Sequence, residues 1–413
     1  MDYGTDLREF LLKQCQVKMV LDSTQRSFAS ADVNTVIALF SSPLEKENAE
    51  RNARFVMFRI AFQYALSPIL FEEIEDAGGS VVTPEYRVFT KRQSDLLLDK
   101  PDLQIEENDH FGGADYGSRV LTPAEYEGSK WGGKYLRAPD IYWTMFKKMS
   151  GKMLALGELV DYKYGIKPGA VKFFYLTLEK AEEWEIEEEF LRPIITSSQD
   201  QQSFTIKADK LLFYCSENIK DLRGTGARRY IEWGEREGFH RGSAVRSHRP
   251  YWYSLHGEPV DFLLLQFWDK RFFTPTAEDY VLCSNNFFYG KSREFDFNSA
   301  AALLNSTVHF LQLEIMGRSN QGQGVLNTYG PDFAWIKCLN PHHVDEESLR
   351  DAFGILSARS VKSIFDEVES EDRRALDNIV FDALKLTHSE RDAVYEAVID
   401  LVETRLRKAR SLS

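Results

Sequence analysis

The chain has 413 residues, 43% of them apolar, with 51 Lys and Arg against 64 Asp and Glu and a formal net charge of −13. A chain of that size buries a substantial core and divides into two or three domains. Its acidic balance excludes a protein that coats nucleic acid through charge spread over its whole surface. No apolar run approaches the roughly 20 residues that a membrane span needs. The opening Met1-Asp2-Tyr3-Gly4 has no basic start leading into an apolar stretch, so a cytoplasmic protein is expected.

The first 42 residues read helix, strand, strand. Leu7, Phe10 and Leu11 recur at helical spacing, and residues 17–21 and 33–40 are short apolar runs rich in β-branched side chains. These three elements cannot close a sheet, so they are expected to pair with later strands or with another chain, and the exposed strand edges near 17–40 are the expected docking surface. Residues 54–59 and 86–90 read as further strands. The stretch near 100–128, dense in Gly and Asp, reads as a polar excursion.

A second domain is expected from about 130. Residues 130–148 lead into an amphipathic helix bearing Ile141, Met145 and Met149, and short aromatic-rich strands follow, among them 171–176, 211–215 and 280–283. Residues 299–316 read as one long helix. After Pro341 the texture is helical throughout, with Leu349, Phe353 and Leu356 and then Ile379, Ala383 and Leu384 at helical spacing. The division expected is thus 1–129, 130–341 and 342–413. The terminal cations Arg405, Arg407, Lys408 and Arg410 read as a solvated, dipole-stabilised helix end, with DNA backbone contact as the alternative.

Cys15, Cys215, Cys283 and Cys338 are scattered singly, which predicts buried reduced thiols, and His342-His343 follow Pro341 in an apparent linker without metal-ligand spacing. The strongest chemical signal lies between residues 223 and 249. Seven arginines, Arg223, Arg228, Arg229, Arg236, Arg241, Arg246 and Arg249, stand there against Glu232, Glu235 and Glu237. The planar guanidinium fork makes the paired hydrogen bonds that phosphate and guanine edges require. Tyr230, Trp233, Phe239, Tyr251, Trp252 and Tyr253 interleave with them and would stiffen the segment against a groove. A surface loop with internal Arg–Glu pairs explains the same composition. Two glycine-rich stretches, residues 165–170 and 317–324, would let backbone approach a phosphate closely.

Leu7-Arg8-Glu9-Phe10-Leu11-Leu12, Val20-Leu21-Asp22-Ser23 and Ala31-Asp32-Val33-Asn34-Thr35-Val36-Ile37 together resemble the run after the catalytic tetrapeptide of γ-class adenine-N6 DNA methyltransferases of the type II restriction-modification kind. Lys130-Trp131-Gly132-Gly133-Lys134-Tyr135-Leu136-Arg137, Gly165-Ile166-Lys167-Pro168-Gly169-Ala170, the 241–252 block, Asn285-Asn286-Phe287-Phe288-Tyr289 and Gly317-Arg318-Ser319-Asn320 resemble the target-recognition domain of that family. The resemblance implies an α+β chain: a partial α/β methyltransferase sheet, a mixed α/β recognition domain of short strands, and a C-terminal helical unit. It marks Lys134, Arg137, Lys167, Arg228, Arg229, Arg241, Arg246, His248, Arg249, Tyr251, Trp252, Asn285, Asn286, Arg318, Ser319 and Asn320 as candidate DNA contacts. Phe28 and Asn34 are implied at the edge of the pocket for a flipped adenine.

Members of that family also carry a Gly-rich S-adenosylmethionine loop and an Asn/Asp-Pro-Pro-aromatic tetrapeptide, and neither is found in this sequence. Gly322-x-Gly324 follows a helix and fails the strand-to-helix context of a cofactor loop. The expectation is therefore a chain that recognises double-stranded DNA in a phage-defence system. It is inactive alone and is completed by a second chain that brings the cofactor and the catalytic residues. A stand-alone DNA-binding protein derived from a methylase is the alternative. A nuclease is disfavoured, since Asp296, Glu314 and Asp332 lack nuclease spacing.

Overall fold

The computed structural model describes residues 3–26, 35–41, 51–98, 131–199, 201–319 and 324–411. The excursion read near 100–128, the pocket-edge residues Phe28 and Asn34, and Asn320 lie outside the described residues. The leading helix Tyr3–Gln14 runs into a five-stranded sheet made of β1 (Gln16–Ser23), β2 (Ile37–Ser41), β3 (Asn52–Phe58), β4 (Val81–Val82) and β5 (Tyr86–Arg92). The strand order is β2-β1-β3-β5-β4, with β1 parallel to β3 and the other pairings antiparallel. β1 is buried along most of its length, as a strand covered on both faces must be. Its entry is fixed by one side chain: the Gln93 amide donates to the Leu12 and Cys15 carbonyls at 2.8 and 2.7 Å and accepts from the Val17 N–H at 2.9 Å. That closes the carbonyl end of the leading helix, which would otherwise be buried without partners.

The strands expected at 54–59 and 86–90 are thus present as β3 and β5. A one-turn π-helix, Gly132–Arg137, and the helix Asp140–Met149 then pack on β5, where Phe89 stacks on Trp143 at 4.9 Å and on Tyr135 at 5.5 Å. Beyond them lie a four-stranded and a three-stranded sheet and two strand pairs, all of short strands. The expected strand over 171–176 is instead the helical turn Val171–Phe174 followed by Tyr175–Leu176. Phe173 and Phe174 are both fully buried, and consecutive residues of a strand point to opposite faces. A helical turn lets both rings enter one core.

The single helix expected over 299–316 is two, Phe297–Leu304 and Thr307–Met316. Asn305 breaks it by donating from its amide to the Thr274 carbonyl and accepting from the Thr274 N–H, both at 2.9 Å, and Ser306 caps the new N-terminus. Every residue of Thr307–Met316 is buried. Asp377 reaches that N-terminus from the helix Glu371–Ala383, accepting from the Thr307 N–H at 2.7 Å and its hydroxyl at 2.6 Å.

The terminal helix His388–Arg410 keeps Arg407 and Arg410 exposed, as a solvated cationic end would, but not its other two cations. Arg405 is buried against Glu314 at 2.8 Å, and Lys408 reaches Asp22 on β1 at 2.8 Å. The four cysteines are buried free thiols, and His342-His343 form a short 3-10 turn with Pro341. No helix among the described residues is long and apolar enough to cross a membrane, and no cluster among them has metal-ligand composition.

Burial holds the His309 imidazole neutral, with its pKa down at about 3 against an ordinary 6.5. Unfolding frees it to take up a proton, so its contribution to stability is full above pH 6.5 and is lost as the pH falls toward 3. The loss is roughly 1.4 kcal/mol per pH unit. Urea unfolding between about pH 6.5 and pH 5 should show this slope in the wild type, and His309→Gln should flatten it by about that amount. An unchanged slope in the variant contradicts the assignment.

Candidate functional site

Three segments distant in sequence meet on one face of the region of short strands. Gly165 lies so close to residue 284 that a Cβ would stand 2.1 Å from the Ser284 carbonyl oxygen. The Ile166 N–H donates to Cys283 at 2.8 Å, and the Asn285 N–H donates to Ile166 at 2.9 Å. Gly169, at φ +68°, presses on Ala244 and Val245, and so seats the arginine segment on the same turn. Lys167, His248 and Asn285 are thereby neighbours on one surface. A cleft of about 250 Å³ opens beside Lys167 and His248, bounded also by Tyr164, His256, Glu258 and Tyr289.

The arginine block divides into paired and unpaired members. Its helix, Gly226–Arg236, is capped by Thr225 and by Glu187, whose carboxylate accepts from the Gly226 and Ala227 N–H groups at 2.8 and 3.2 Å. The inner face packs on Phe173: Tyr230 stacks on it at 4.9 Å, and Gly234 leaves room for it and for Trp252. The interleaved aromatic residues form this small core instead of facing a groove.

Arg228 pairs with Glu232 at 2.8 Å and Arg229 with Glu185 at 2.5 Å, as the loop with internal pairs would have it. Arg223, Arg236, Arg241 and Arg246 are exposed and have no carboxylate partner among the described residues. Arg249 donates to the Arg246 and His248 carbonyls at 3.0 and 2.8 Å, bracing the loop. His248 donates from Nδ1 to the Trp252 carbonyl at 2.9 Å, and its partial burial lowers its pKa, so it adds no cation at neutral pH. Trp252 donates to Glu235 at 3.2 Å, and Tyr251 stacks on Tyr253 at 5.1 Å.

A second strip adjoins the first. Asn286 donates to the Thr196 carbonyl at 2.9 Å, while the Asn285 carbonyl accepts from Gln266 at 3.1 Å. Gln266 also accepts from the Tyr164 hydroxyl at 3.4 Å, and its carbonyl takes the Thr328 N–H at 2.8 Å. That chain of contacts leads to Asn327, which exchanges backbone hydrogen bonds with Arg318. The Arg318 side chain is exposed over Tyr329 at 4.5 Å, with Asp332 3.5 Å away, and Ser319 follows it. Tyr164 and Gln266 were not among the expected contacts. The available signal was faint: Gln266 is the lone polar residue in the apolar run 262–268.

Arg137 and Lys134 stand apart from this surface. Arg137 is spent on the Ile315 and Gly317 carbonyls at 2.7 and 2.5 Å, and burial pushes its pKa down. The Lys134 ammonium lies about 6 Å from the rings of Tyr135, Trp143 and Trp335.

A five-stranded sheet with one parallel pair, small sheets with exposed arginines, and a helical tail make up a chain that resembles the C-terminal region of a type II methyltransferase. The chain belongs to the family of the type II methyltransferase M.Eco57I C-terminal domain, which it matches over residues 128–371. The type II methyltransferase M.AccI of Acinetobacter calcoaceticus is 31% identical over 131 residues, which is 28% of this chain and 24% of that enzyme. The type IIG restriction endonuclease BpuSI has a similar fold, at a TM-score of 0.50 and 12% identity over 99% of this chain and 46% of its own. The type IIL restriction-modification enzyme MmeI, solved in complex with DNA, aligns at a TM-score of 0.40 and 13% identity over 86% of this chain and 50% of its own. The chain therefore spans about a quarter of the curated relative and under half of BpuSI.

Exposed arginines that contact phosphate release counterions on binding. Arg241→Ala and Arg246→Ala should each weaken binding to duplex DNA at 0.1 M salt and lower the slope of log K against log salt by about 1. Arg228→Ala, which removes a guanidinium already facing Glu232, should change both by less. Anisotropy titrations at several salt concentrations that ranked Arg228 above the other two would contradict this assignment.

Proposed function

We propose that this chain reads DNA sequence for an adenine-N6 methyltransferase of a restriction-modification system, while S-adenosylmethionine and the methyl-transfer residues come from another polypeptide. The observation that carries the reading is the convergence of the 165–170 turn, the 241–249 segment and Asn285-Asn286 on one face, with Arg241 and Arg246 exposed and without a carboxylate partner among the described residues. Phosphate contacts from such arginines set register on the duplex, and nearby amides and hydroxyls reach base edges. The family, and the printed description of M.AccI as a type II methyltransferase, support the same reading.

In open α/β sheets ligands sit at the carboxyl ends of parallel strands. At that end of β1 and β3 the described residues offer no glycine-lined cradle for a cofactor. Asp22 faces Lys408, the Ser23 hydroxyl donates to the Ile60 carbonyl at 3.0 Å, and the Arg26 N–H donates to Ser411 at 3.2 Å. These donors and acceptors are engaged within the chain, which supports a cofactor carried by another polypeptide.

The surface offered to a catalytic polypeptide is narrower than strand edges across 17–40. β1 is paired on both sides, so among the described residues β2 is the edge there. Ile37, Leu39 and Phe40 are exposed on it, as are Leu7 and Phe10 on the leading helix. An apolar strand with a free edge is a template for another strand.

Co-expression with a polypeptide carrying a Gly-rich cofactor loop and an Asn-Pro-Pro-aromatic tetrapeptide should yield a complex that methylates adenine N6 in duplex DNA. The isolated chain should bind duplex and transfer no methyl group. Leu39→Glu with Phe40→Glu should abolish the complex and leave DNA binding by the isolated chain unchanged. Methyl transfer by the isolated chain would overturn the division of labour.

A further inference from the structure

Two arginines hidden from the proposed DNA-facing surface grip two backbone stems, at Gly317 and at Gly324. On one side, the Gly317 carbonyl accepts from Arg137, which also donates to Ile315. On the other, the Gly324 carbonyl accepts from Arg405. The same guanidinium holds both Glu314 carboxylate oxygens at 2.8 and 3.0 Å and the Asp269 carbonyl at 2.7 Å.

Gly324, at φ +74°, is seated on the terminal helix, where a Cβ would stand 3.1 Å from the Ala409 Cβ. Just inside these stems, Arg318 and Asn327 exchange backbone hydrogen bonds at 2.7 and 2.9 Å. The Arg318 side chain leaves from that ladder to the surface.

We infer that Arg137 and Arg405 are positioning residues for sequence recognition, setting Arg318 and Ser319 against the face formed by the 165–170 turn and Asn285-Asn286 through the carbonyls of Gly317 and Gly324. The inference rests on the proposal that this face reads DNA. Two carbonyls and one carboxylate held by a single planar fork fix direction as well as distance, which a lysine ammonium cannot do. Paired hydrogen bonds to a base edge fail when the side chain that makes them is displaced, so rigidity behind the contact becomes selectivity at it. The terminal helix is then part of the recognition apparatus although it touches no base.

The test uses enrichment from a pool of randomised duplexes, followed by binding to single-base variants of the enriched sequence. Glu314→Met with Arg405→Met replaces a buried ion pair by apolar side chains, Arg137 keeps its two carbonyl partners, and a thermal melt checks that the double variant is folded. Arg137→Lys is the milder second variant, and Arg407→Met, at an exposed position of the same helix, is the control. We expect melting temperature and salt slope close to wild type in the folded variants, with base preference at one or two positions reduced about tenfold or more.

The control should keep the wild-type consensus. Preferences unchanged at every position in both variants would overturn the positioning role. A wild-type chain that enriches no sequence would overturn the DNA-reading function and this inference with it.

Discussion

The helix Thr307–Met316 exposes no residue to solvent, so its unsatisfied backbone groups and its charged side chain must find partners inside the protein. Asp377 supplies them at its N-terminus, and Arg137 accepts the task at its C-terminus by taking the carbonyls of Ile315 and Gly317. Glu314, buried within it, is compensated by Arg405. A buried ionised group costs several kcal/mol, roughly, unless it is paired and hydrogen-bonded, and removal of one partner is more damaging than replacement of both. The junction after the first sheet, the middle of the chain and the terminal helix are therefore tied together, because each satisfies charges or carbonyls that the others leave buried.

That constraint sorts the cations of an acidic protein into two populations. Arg137, Arg373 and Arg405 point inward, where they hold carbonyls and carboxylates. Arg223, Arg236, Arg241 and Arg246 point outward from a segment whose local charge is positive. Screening limits the reach of distant charge to about 10 Å at 0.1 M salt, so the overall −13 does not cancel a cation-bearing face. Charge type alone does not separate the two populations. Their neighbours do.

Much of the fold was legible in the sequence because burial leaves a pattern. The β-branched runs of β1 and the helical spacing of Ile141, Met145 and Met149 report the faces they bury. What failed was local geometry imposed from afar. Phe173-Phe174 reads as strand until both rings must enter one core, and residues 299–316 read as one helix until Asn305 is claimed by Thr274. Arg405 and Lys408 read as part of a solvated helix end because nothing nearby in sequence announces that Glu314 lies beside Arg405 and Asp22 beside Lys408. At the candidate site the residue types pointed to the right segments, but composition could not tell Arg229, paired with Glu185, from Arg246, which is unpaired among the described residues.

The central claim is that the face built from the 165–170 turn, the 239–249 segment and Asn285-Asn286 meets DNA. Hydrogen exchange of backbone amides, compared with and without duplex DNA at low salt, tests it most directly. The account predicts slowed exchange in those segments and around Arg318, with β2 and the leading helix unaffected. Slowed exchange confined to β2 and the leading helix, with the arginine segment unchanged, would contradict it.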